Sequence, residues 1–146
     1  MSDMIEFENE RFGRIEVEES KLLHFPGLPG FPEARRFVVM EHDHDAPFGW
    51  LVSVDDAELA FVITDPWQFF PDYRPPLELS HLQALGVEKP EDLVIMTIAT
   101  IGGRRPTLNL IAPLLLNATR GRGEQVILDC SDYSYRTEIP APEASE

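Results

Sequence analysis

"PFGWLVSVDDAELAFVITDPWQFFPDY", Pro47 to Tyr73, carries the pattern on which the fold turns. Along an extended chain successive side chains alternate, so Phe48, Trp50, Val52 and Val54 share one side while Gly49, Leu51 and Ser53 share the other. "DDAE", Asp55 to Glu58, is turn chemistry, because Asp side chains bond to backbone nearby and so favour a reversal. "LAFVIT" then resumes the aromatic and β-branched composition of a strand. The spacing predicts a hairpin over residues 48–64, and it runs straight into a segment with Trp67, Phe69, Phe70 and Tyr73 set among Pro66 and Pro71.

Working outward, "FGRIEVEES" places Ile15 and Val17 against Arg14, Glu16 and Glu18, the alternation of a strand with one wet face. "FPGLPGFPEARR" is too rich in Pro and Gly for a central strand and reads as a fixed loop before the strand "FVVM". One helix is expected in "LSHLQALGVEKPED", with Ser80 as its cap and Gly86 as its stop. From Leu93 to Ile101 both alternating faces are apolar, which predicts a strand covered on both sides. "PTLNLIAPLLLN" is a strand that Pro113 must end or bulge at Ala112, and "EQVILD" and "YSYRTEI" read as two more. The fold class is therefore mainly β, a small antiparallel barrel-like or sandwich domain with one or two short helices. A single domain over 1–139 and a disordered tail over 140–146 are expected.

Of 146 residues, 43% are hydrophobic, enough for one core, and no apolar run reaches the roughly 20 residues of a membrane helix. The start of the chain lacks the apolar stretch of a signal peptide, and one cysteine, Cys130, agrees with a reducing compartment, so a cytoplasmic location is expected. The formal charge of −14 repels phosphate backbones and favours cationic partners. Direct nucleic-acid binding is accordingly not expected, nor is a membrane or a small-molecule substrate.

Chemistry-bearing constellations are sparse. His42 and His44 in "EHDHD" lie two apart and could face one ion from a strand, but no third ligand is recognisable, and an exposed polar turn accounts for them. Cys130 has no Cys/His signature beside it, and "GGRRP" lacks the context of a phosphate loop and reads as a hairpin turn. No catalytic residue, cofactor or metal is expected; the alternative is a small metal-dependent β-barrel enzyme using His42 and His44.

Several of these segments, in order, resemble the flagellar assembly factor FliW family: "FGRIEVEES", "FPGLPGF" with "RRFVV", "WLVSVDDAELAFVITDPWQFFPDY", "LNLIAPLLLN" and "RGEQVIL" followed by a Tyr. Val52 departs from the pattern where Gln is frequent, and Glu124 where a basic residue is common. The resemblance implies a β-rich, barrel-like, non-enzymatic protein. It would bind flagellin in a chaperone-like way before export and bind and antagonise CsrA, a small RNA-binding translational regulator. The aromatic segment then offers anchors with an acidic rim, since aromatic residues are enriched at interface hot spots. The candidate partner-binding residues are Trp50, Asp55, Asp56, Asp65, Trp67, Phe69, Phe70, Asp72, Tyr73, Asn109 and Asn117. About half of the four rings from Trp67 to Tyr73 are expected in the core, Phe70 among them, with Trp67 at the surface.

Overall fold

Residues 3–41 and 47–140 are described by the computed structural model. Its strands are β1 (Met4–Asn9), β2 (Gly13–Glu18), β3 (Leu23–His24), β4 (Arg36–Glu41), β5 (Phe48–Ser53), β6 (Ala60–Thr64), β7 (Val94–Thr100), β8 (Thr107–Leu108), β9 (Leu114–Asn117), β10 (Arg122–Gln125) and β11 (Thr137–Glu138). Strands β7, β6, β5, β4, β3, β10 and β9 pair in that order, and β9 pairs back onto β7. The result is a closed seven-strand barrel. Closure removes the two open edges that a flat sheet would expose. Strands β8 and β11 extend the wall outward from β7.

The hairpin read from Pro47 to Tyr73 is present as β5 and β6, with Trp50 opposite Val62 and Leu51 opposite Phe61. Both of its sides are covered. Leu51 and Ile63 point into the lumen, where they meet Leu23, Phe25, Phe37, Leu114 and Leu116. Val52, Trp50 and Val54 face outward and are roofed by the β1–β2 ribbon through Phe7, Ile15 and Val17. The ribbon turns at Asn9, whose side-chain oxygen accepts from the N–H groups of Arg11 and Phe12. Its outer face carries Glu6, Glu8, Glu16 and Glu18 around Arg14, so the wet face expected of "RIEVE" is there.

A third cluster lies under the aromatic segment, and a fourth packs Leu77, Leu85 and Val87, which flank the short helix α1 (Leu79–Ala84), against Leu115, Val126 and Leu128. The helix stops at Gly86, at φ +72°, where a side chain would be strained. Its start differs from the expectation: Glu78 holds the N-cap position in extended backbone, and Ser80 lies inside the helix. "GGRRP" forms the expected reversal, between the antiparallel β7 and β8.

Three strand expectations shift. "EQVILD" contributes only its first two residues to β10, although Val126 and Leu128 still donate to the carbonyls of Pro113 and Ile111. Pro113 has no N–H to return, so the ladder there is half made. "YSYRTEI" pairs only at Thr137 and Glu138. The wall is not wholly antiparallel either: β3 and β10 run parallel and meet at one residue pair, His24 with Arg122. His42 and His44 lie outside the described residues, as does the expected tail 140–146 apart from Pro140.

Candidate functional site

Where β6 ends, Asp65 accepts a hydrogen bond from the Trp67 backbone N–H at 2.9 Å and so starts a single 3-10 turn, Pro66–Gln68, with Pro66 at its first position. The turn folds the aromatic side chains back over β7 and β8. The Trp67 indole N–H donates to the Tyr73 carbonyl at 2.9 Å, and the Tyr73 hydroxyl donates to the Leu110 carbonyl at 2.6 Å. Tyr73 is 3% exposed. Burial, with smaller contributions from Tyr133 and Cys130, pushes its phenol well above the ordinary value. Tyr133 closes edge-on over Tyr73 at 4.8 Å between ring centres, and its hydroxyl accepts from the Arg74 N–H. Phe69 stacks on Phe48 at 5.7 Å.

The four rings therefore divide one to three. Tyr73 is core, while Trp67, Phe69 and Phe70 are half-buried against Leu108 and Leu110. Phe69, Phe70, Pro71, Asp72, Tyr73, Leu110 and Tyr133 line a shallow hollow of about 240 Å³, and Asp72 is exposed at its rim. Phe70 is not sealed in the core, and Trp67 is not a free anchor, because its one polar atom is satisfied inside the segment.

At the opposite end of the hairpin, Ser53 accepts from the N–H groups of Asp55 and Asp56 through its hydroxyl. The Asp55 carboxylate accepts from the backbone N–H groups of Arg35 and Arg36 and from the Arg36 guanidinium at 2.9 Å. Partial burial pushes its pKa up, but the Arg36 side chain and these backbone bonds outweigh that and hold the carboxyl below its usual value. Asp56 caps its own turn by accepting from Glu58 N–H. The two acids thus fix the tip of the hairpin beside a concavity of about 410 Å³ lined by Phe31, Pro32, Glu33 and Leu59.

The remaining candidates separate. Trp50 is half-buried, edge-on to Phe12, with the Arg11 guanidinium 4.8 Å above its ring. Asn109 accepts from Ala112 N–H and holds the chain where Pro113 breaks it. Asn117 is 0% exposed; its amide donates to Leu85 O and its carbonyl accepts from Arg120 N–H, which ties β9 to the helix end. In this fold Asn117 and Tyr73 have no surface to offer a partner, a correction to their place among the partner-binding candidates. Alternation on a strand gives parity but not which side is later roofed. Sequence reading also missed Tyr133, which reaches the aromatic segment from 60 residues downstream of Tyr73. Among the described residues no three His, Cys, Asp or Glu side chains converge as a metal site, and no helix is long and apolar enough to cross a membrane.

Fold and surface together define a small closed β-barrel protein with an acidic exterior and half-exposed aromatic rings at one flank. Residues 6–139 match the family model for FliW protein, and the chain belongs to the FliW family. It is 39% identical over 138 residues to a protein named flagellar assembly factor FliW 2 of Desulfotalea psychrophila, covering 93% of this chain and 91% of that one. A flagellar assembly factor FliW of Oceanobacillus iheyensis is 34% identical over 145 residues, covering 97% of this chain and 99% of its own. The crystal structure of a flagellar assembly factor FliW superposes with a TM-score of 0.85 at 32% identity, covering 97% of this chain and all of that chain.

Proposed function

We propose that this protein acts in the cytoplasm in assembly of the bacterial flagellum, as a non-enzymatic binding protein with two alternative partners. It holds flagellin in a chaperone-like way before export, and it binds and antagonises CsrA. Export of flagellin frees it to take up CsrA and relieve repression of flagellin synthesis. The observation that carries this reading is the family match, which spans the barrel from Glu6 to Ile139. The charge of −14 supports it, because an RNA-binding regulator must present a basic surface to phosphates and an acidic barrel attracts such a surface. The same charge speaks against RNA as a direct ligand.

Occupancy of the two partners is mutually exclusive or negatively coupled, and in either case each must weaken the other by the same factor at equilibrium. Titration of the purified protein with purified flagellin, with CsrA, and with each in the presence of the other tests this. Binding of both with reciprocal weakening is expected. Failure to bind either partner would overturn the proposal.

A further inference from the structure

In the β9–β10 ladder Arg122 lies opposite Asn117 and Gln125 opposite Leu114. The same register continues outside the strand, where Val126 donates to Pro113 O and Leu128 to Ile111 O. Even-numbered residues of β10 and its continuation therefore bond toward β9, and the backbone N–H and C=O of Gln125 and Ile127 point the other way. That is the lane of β3. But β3 meets β10 only at His24 and Arg122, and Pro26, the next position of that chain to face β10, has no N–H to offer. Among the described residues no backbone hydrogen bond reaches Gln125 or Ile127 from that lane.

The gap is apolar. A cleft of about 430 Å³ opens there, lined by Leu28, Pro29, Phe61, Ile98, Ile127 and Tyr135, with Phe61 and Ile98 packed on the lumen core. Ile127 is 65% and Tyr135 67% exposed. Proteins ordinarily guard an open edge with a charge or a proline, and this edge carries Ile instead. Two side-chain amides stand at its border: Asn109 accepts from Ala112 N–H and Gln125 donates to Ala112 O, which leaves the Asn109 N–H₂ and the Gln125 carbonyl for a ligand.

We propose that the edge from Gln125 to Ile127 docks an extended, basic segment of a partner protein, which adds as a strand in the lane that β3 leaves after His24 and places alternate aliphatic side chains in the cleft. Strand addition takes affinity from main-chain bonds and selectivity from pockets for every second side chain, and this edge has both. The charge decides the occupant: two copies of a −14 protein repel, whereas a segment with Lys or Arg on its outward side is attracted. The identity of the partner rests on the proposed function, in which CsrA is the basic one; the site itself does not.

The test uses a capped synthetic peptide of alternating Val and Lys, a control with Glu in place of Lys, and purified CsrA. Amide hydrogen exchange of Gln125 and Ile127 is followed by NMR alongside titrations. The Val/Lys peptide is expected to protect both amides at least tenfold, and the Glu control to bind at least tenfold more weakly. Ile127→Pro removes an outward N–H that the fold does not use, and Tyr135→Ser removes a cleft wall without touching the backbone. Each is expected to weaken the peptide and CsrA tenfold or more. Absence of peptide binding, unchanged exchange at saturating peptide, or full affinity in Tyr135→Ser would overturn the site, as would self-association through this edge in sedimentation. Amide protection by the peptide together with no binding of CsrA supports the site and overturns the proposed function instead.

Discussion

Removing one oxygen isolates the most constrained group of the aromatic segment. Tyr73→Phe keeps the ring among Leu108, Leu110 and Tyr133 but leaves the Leu110 carbonyl without its donor, which costs about 1 to 3 kcal/mol in a denaturant melt. The same hydroxyl sets an alkaline limit. Its folded pKa lies above the ordinary 10.0, so above that pH the unfolded chain releases a proton that the folded chain keeps. Its contribution is complete below about pH 10 and declines as pH rises further, a decline that Tyr73→Phe should abolish in melts from pH 9 to 11. Trp67→Ala forfeits both half-buried packing and the indole bond to Tyr73 O, so a loss of about 2 to 4 kcal/mol is expected, not the near-zero change of a surface anchor. That division of roles could not be read from "DPWQFFPDY", because prolines suspend the strand parity that says which ring points where, and Tyr133 arrives from far along the chain. The sequence offers Asp65 as a partner-binding candidate, and the fold uses it as the origin of a turn; Asn117 as a buried brace was not legible, since the sequence does not show that a helix end lies above it.

Among elements, the hairpin of β5 and β6 was readable because two alternating runs flank a turn of Asp residues. β10 was not, because its last bonds depend on a partner proline that returns none. The parallel seam between β3 and β10 left even less trace, with one pair to mark it. Gly123 is the tight point of that seam: a Cβ there would lie 2.4 Å from Phe25 Cζ and 3.0 Å from Leu116 Cδ2. Gly123→Ala must displace the Phe25 ring from the lumen and should cost about 1 to 3 kcal/mol. Shortening the ring in Phe25→Leu/Gly123→Ala should recover part of that loss relative to the sum of the single changes, a coupling that a double-mutant cycle measures directly.

For the whole molecule, a charge of −14 on 146 residues means the folded state works against its own repulsion. The ribbon concentrates it: Glu6 faces Glu16 across the strands, and like charges directly opposite destabilise the pair. Raising salt from 0.1 M to 1 M shortens the Debye length from about 10 Å to about 3 Å, so the melting temperature should rise over this range. The proposed association with CsrA should slow over the same range, because its attraction is screened by the same ions; equal rates at both ends would remove electrostatic steering from the account. The closing bridge also places this protein in time. His24 meets Arg122 only after nearly the whole chain has been made, and the lumen stays open to water until then. During synthesis Phe37, Leu51 and Ile63 therefore wait for Leu114 and Leu116, so the growing chain exposes its greasiest strands for most of its translation. A ribosome that stalls before residue 114 would release an open half-barrel prone to clump, so the nascent chain would itself need a chaperone.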